Sequence, residues 1–99
     1  MIELKSREQL AAAIEHARRE AKSLVVRMGS VSRQYVVANR SKGTRYVVEF
    51  SVRGRRRFGH CSCMAGKHNI ECKHLAAALG LHLYMAQQGL LSRPRRVAA

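Results

Sequence analysis

All three cysteines and three of the five histidines of this 99-residue chain fall within residues 60–74, in the stretch GHCSCMAGKHNIECKH. Cys61 and Cys63 are one residue apart, eight residues follow, and Cys72 and His74 repeat the spacing. Thiolates and imidazoles gathered this closely are ligands for a borderline-soft metal ion. An odd cysteine count does not suit a disulfide framework, and clustered thiols in a reducing compartment are metal ligands or catalytic groups.

Convergence of four side chains makes demands on the elements that carry them. Cys61 and Cys63 belong on or just past a strand, where the period of two turns both thiols to one side. Two residues are about 200° of helical turn, so Cys72 and His74 cannot converge from mid-helix. Cys72 is therefore expected just before a helix and His74 in its first turn, where the positive end of the helix dipole favours a thiolate. Strand end, loop and helix start then bring together a closed tetrahedral Cys3His set for one structural Zn2+. The plain alternatives are buried small hydrophobes or redox thiols. His60 and His68 flank the set as substitute ligands or as exposed, phosphate-facing groups. His16 and His82 read as surface or satisfied core residues, and Met28, Met64 and Met85 as fillers of core gaps.

Catalytic zinc keeps an open position beside an acid or base. Here the fourth position is filled, Glu71 is the only carboxylate nearby, and neither H-E-x-x-H nor the H-x-E with P-C-x-x-C of deaminases occurs. With all three thiols on zinc, none is left as a nucleophile, so the expectation is a protein that is not an enzyme.

The rest of the chain reads as an α+β scaffold: an N-terminal helix, a small antiparallel β-meander, the zinc knuckle and a buried C-terminal helix. Ser6 and Gln9 form a capping-box pattern, and Leu10, Ala13, Ile14, Ala17 and Ala21 share a face, which predicts a helix over 7–22. SLVVRMG leans toward strand through Val25 and Val26. RQYVVAN and RYVVEFSV are strands joined by a turn at Gly43, and with a third short strand running into Cys61 they make a meander over 34–63. Residues 61–88 hold the zinc-binding segment and a helix rich in Ala, Leu and Met, ending near Gly89. One domain is expected over 1–91, followed by a basic, flexible tail over 92–99.

Nineteen Lys and Arg against six Glu give a net charge of +13 and a pI near 11.1. Residues 1–22 carry five bases and four Glu, whereas 23–99 carry fourteen bases and two Glu, so the field belongs to the part that holds the cysteines. Fourteen of the bases are Arg, whose planar fork grips phosphate bidentately. A field so one-signed points to a polyanion, DNA ahead of RNA. The N-terminal MIELKSREQL has no uninterrupted apolar core of signal-peptide length and no stretch approaches the ~20 apolar residues of a spanning helix, which leaves an intracellular, cytoplasmic or nucleoid-associated location as the expectation.

The C-x-C, eight residues, C-x-H pattern with CKHLAAAL after it resembles the SWIM zinc finger family over roughly residues 45–86, with Cys61, Cys63, Cys72 and His74 in its four ligand positions. The resemblance implies zinc, a β-β-α core and a role in binding DNA or protein, often beside larger catalytic proteins such as helicases and transposases.

In a meander, the 40–45 turn and the 53–57 turn lie at opposite ends of the sheet. Zinc then sits at the first end with Arg40, Lys42, Arg45, Lys67 and Lys73. A helix of about sixteen residues returns to the second, where Arg53, Arg55, Arg56 and Arg57 would meet Arg93, Arg95 and Arg96 of the tail. Two such poles can track a nucleic-acid backbone through its phosphates. The competing reading is a zinc-stapled adaptor mediating protein or ribonucleoprotein contacts, with the near-neutral N-terminal helix as a docking or homodimer surface.

Overall fold

The computed structural model describes residues 1–91, so Arg93, Arg95 and Arg96 lie outside the described residues. The architecture is α+β, as the sequence implies. Five strands, β1 (Ile2–Glu3), β2 (Leu24–Met28), β3 (Gln34–Asn39), β4 (Thr44–Arg53) and β5 (Arg56–Cys61), form one antiparallel sheet in the order β1-β5-β4-β3-β2. A 3-10 turn (Glu8–Leu10) leads into helix α1 (Ala11–Arg19), one helical turn α2 (Met64–Lys67) follows β5, and α3 (Lys73–Gln87) is the last element among the described residues.

Alternation builds the sheet. Tyr35, Val37 and Asn39 of β3 and Val48 and Phe50 of β4 are buried, while their neighbours Gln34, Val36, Glu49 and Ser51 face outward. Asn39 is the polar member of this inner row, and its Oδ1 accepts from the amides of Ser41 (3.1 Å) and Lys42 (3.3 Å), which folds the β3–β4 turn around it. Gly43 completes that turn with a φ of +68°. Gly54 and Arg55 alone join β4 to β5, since Arg53 pairs with Arg56.

Helix α3 lies across β2 to β5, and α1 packs against α3. Leu75 and Ala78 of α3 meet Tyr35, Val37, Val48 and Phe50 of the sheet, with Leu10 and Ile2 in the same cluster. Burying a side chain such as Leu75 contributes about 1.5–3 kcal/mol. His82 is half-buried against this core and has its partners: its Nδ1 is 2.8 Å from the Tyr35 hydroxyl and its ring stacks on Phe50 at 4.5 Å.

Several expectations are revised. The helix expected over 7–22 is α-helical only from Ala11 to Arg19. The Gln9 amide donates to Ser6 Oγ (3.3 Å), but Gln9 Oε1 accepts from Lys5 rather than Ser6, and the turn that follows is 3-10. At the other end, pairing of Leu24 with Asn39 pulls the chain out of the helix. Strand β1 was not anticipated: Ile2 and Glu3 pair with Gly59 and Phe58 across most of the chain. Met28 and Met64 are exposed rather than core fillers, one ending the edge strand β2 and the other opening α2. No helix among the described residues is long and apolar enough to cross a membrane.

Candidate metal centre

Each of the four expected ligands sits where an element starts or stops. Cys61 is the last residue of β5, Cys63 the N-cap of α2, Cys72 the N-cap of α3, and His74 the second residue of α3. Their ligand atoms all lie within 4.8 Å of one another. This is the scale of a tetrahedral site, since a metal–sulfur bond of about 2.3 Å sets sulfur–sulfur edges of roughly 3.8 Å.

Two of the sulfurs perform a second task. Cys63 Sγ accepts from the Gly66 amide and Cys72 Sγ from the Leu75 amide, each at 3.4 Å, the bonds an Asp or Ser N-cap would make. Gly66 is required here because α2 turns against β5: a Cβ at this position would lie 1.8 Å from the Cys61 carbonyl oxygen. The Ser62 amide donates to Val47 O (2.9 Å) and Ser62 Oγ accepts from the Val47 amide (2.9 Å), so the backbone between the first two cysteines is held to β4.

The clustered thiols perturb one another strongly. Cys72 is held well below the ordinary thiol range, first by the hydrogen bond from the Cys61 thiol and further by His74 and the Leu75 amide. Cys61 moves the opposite way, because it keeps the shared proton and is buried. His74 Nδ1 is buried and has no hydrogen-bond partner among the described residues. A buried polar atom left unpaired costs about 1–3 kcal/mol, a penalty that coordination would remove. The cluster can hold one metal ion.

The flanking histidines are not in the cluster. His60 alternates with Cys61 and lies opposite Glu49 on the outer side of the sheet, and His68 is an exposed residue at the end of α2. Tyr46 was not singled out by sequence; its ring lies against His74, with centroids 4.6 Å apart.

The basic residues are distributed less simply than two poles. Arg40, Lys42, Arg45 and Lys67 are exposed. Lys73 is not: its side chain is 11% exposed and its Nζ donates to both carboxylate oxygens of Glu20 at 2.8 Å. Lys73 is therefore the main cause of the lowered Glu20 pKa, with smaller contributions from His16 and Lys42. An acid from the near-neutral N-terminal segment thus stands inside the expected basic pole. At the other end, Arg56 forms a two-bond pair with Glu3 of β1 (3.1 and 2.8 Å) and lies over the Phe58 ring. Pairing of Val52 with Arg57 and of Arg53 with Arg56 puts Arg57 and Arg53 on opposite faces of the hairpin. The return of α3 is as expected, since Gly89 and Leu91 line the same cavity as Gly54 and Arg55.

No protein-family model, curated protein or solved structure matches the chain.

Proposed function

We propose that this is a zinc-stapled nucleic-acid-binding protein of the SWIM type, its metal structural and its contacts mainly to phosphate. The observation that carries the metal half is the unpartnered, buried His74 Nδ1 beside three clustered thiols. Three sulfurs and one imidazole match zinc, and a set closed by four protein ligands leaves no position for a reacting water, which favours a non-enzymatic role.

Net charge supports the nucleic-acid half. Arg40, Lys42, Arg45, Arg53, Arg55, Arg57 and Lys67 are exposed and have no carboxylate partner among the described residues, whereas Arg56 and Lys73 are committed to Glu3 and Glu20. Those seven are the first phosphate-contact candidates. The experiment is a titration of nuclease-treated, zinc-loaded protein with a labelled mixed-sequence DNA duplex across salt concentration. Each neutralised phosphate adds about 0.9 to the log–log slope, so five contacts give a slope near −4.5. Charge reversal at Arg40 and Lys42 should weaken binding to all sequences alike and flatten the slope. Absence of binding at low salt discards duplex DNA as the target, and a zinc-to-protein ratio far from unity discards the metal assignment.

A further inference from the structure

A groove of about 1100 Å3 lies between α1, α3 and the Gly54–Arg55 turn, on the helical side of the sheet and apart from the metal cluster. Two helices supply its walls in a regular pattern. On α3, Ala76, Leu79, Leu83 and Ala86 recur every three or four residues, and on the α1 side Leu10, Ile14 and Arg18 recur every four. The apolar surface is open to solvent: Leu83 is 48% and Val52 42% exposed. Around it stand Lys5, Arg7, Arg18, Arg55 and Arg57, and among the described residues no carboxylate lines the groove. Glu8 and Glu15 line an adjoining depression on the other side of Arg7, Ile14 and Arg18, which the two share.

We propose that this groove docks an acidic amphipathic helix of a partner protein, its apolar stripe seated between α1 and α3 and its Asp and Glu residues facing the arginine rim. Charge complementarity selects the sign of the partner. Arg7 and Arg18 are eleven positions apart, separated by the 3-10 turn and most of α1, roughly 16–22 Å at the rises of the two helix types. Cations spread over that length match a ligand that carries anions along its length rather than one headgroup. The floor selects a helix over a nucleic-acid strand. Its continuous apolar stripes, Leu10 and Ile14 on one wall and Leu79, Leu83 and Ala86 on the other, suit Leu, Ile or Phe anchors at i, i+4 and i+7. The chain's own last residues are a poor occupant, because Arg93, Arg95 and Arg96 repeat the sign of the rim.

The test uses the full, zinc-loaded chain and a fluorescein-labelled synthetic peptide of about five helical turns, with Leu at helical spacing and Glu between. A scrambled peptide of the same composition lacks the stripe. Fluorescence anisotropy should show the striped peptide binding at least about tenfold more tightly than the scrambled one, and Leu83→Glu and Arg18→Glu each weakening it by about tenfold or more. Both residues are exposed, Leu83 by about half, so unchanged thermal melting separates a lost contact from a lost fold. Equal binding of the two peptides, or binding indifferent to Leu83→Glu, reduces the effect to bulk charge and overturns the proposal. Displacement of the peptide by a single-stranded oligonucleotide whose own binding needs Leu83 overturns it in favour of nucleic acid, and a dimer abolished by Leu83→Glu overturns it in favour of a second copy.

Discussion

The ring of Tyr46 on β4 lies 4.6 Å, centroid to centroid, from the imidazole of His74 on α3, tilted by 44°. Tyr46 thereby packs against a candidate ligand whose Nδ1 has no hydrogen-bond partner among the described residues. Outer-shell partners of metal ligands are worth about 10–100-fold in affinity. Tyr46→Leu keeps apolar bulk but removes the ring, and zinc affinity should fall by at least about tenfold in competition with a chromophoric chelator. Unchanged affinity would mean that the helix alone orients His74.

Metal removal should unfold more than the ligand loop. Cys61, Cys63 and His74 are buried, and Cys61 and Cys63 belong to the same cluster as Leu75 and Val48. Apparent binding energies for structural zinc are about 10–16 kcal/mol, comparable with or above the stability of a whole domain. A strong chelator should lower the thermal midpoint sharply and melt α3 as seen by far-ultraviolet circular dichroism, with recovery on adding Zn2+. A midpoint that ignores the chelator would remove the metal from the fold.

Two glycines should respond oppositely to alanine. At Gly66 the added Cβ would strike the Cys61 carbonyl, so Gly66→Ala must displace α2 or the end of β5 and cost metal affinity as well as stability. At Gly80, on the exposed side of α3, a Cβ meets nothing within 4 Å, and Gly80→Ala should stabilise by about 0.5–1 kcal/mol. Denaturant midpoints of the two variants check both signs.

His82 makes stability depend on pH. Burial, assisted by Arg33 and Arg57, holds its pKa below the ordinary value of 6.5, and Tyr35 faces its Nδ1. The unfolded chain therefore binds the proton first as pH falls. Stability is full above about pH 6.5 and declines from there down to the folded pKa, below which this contribution is constant. Gln at this position retains an acceptor for Tyr35 without titrating. His82→Gln should show a smaller drop in urea midpoint between neutral and mildly acidic pH than the parent chain, and parallel curves would assign the dependence elsewhere.

Much of the site could be read in advance because its information is local. The four candidate ligands span fourteen residues, and strand and helix periodicities on either side dictate where each can stand. The β3–β4–β5 meander and α3 are legible for the same reason, each carrying its own pattern and turn. What was not legible depends on distant partners. Strand β1 is two residues long and has no pattern of its own; only β5 makes it a strand. Glu20 belongs to a helix tail in sequence but to Lys73 in space. The arginine-rimmed groove joins Arg7 and Arg18 to Arg55 and Arg57, residues that linear charge counting assigns to different parts of the chain. Gly66 carries no signal short of the contact it permits.

The pairing of β1 with β5 sets an order of events. Every other strand contact joins sequence neighbours across a short connection, whereas Ile2 meets Gly59 only after most of the chain is in place. Loop-closure entropy makes such a contact late to form, and its shortness makes it early to open. In native-state hydrogen exchange the Leu4 amide, bonded to Arg57 O, should therefore exchange through local fraying while the β3 and β4 amides wait for global unfolding. The first residues act as a latch that brings Ile2 into the core, and when the latch lifts it exposes an edge of β5, the strand that ends in Cys61.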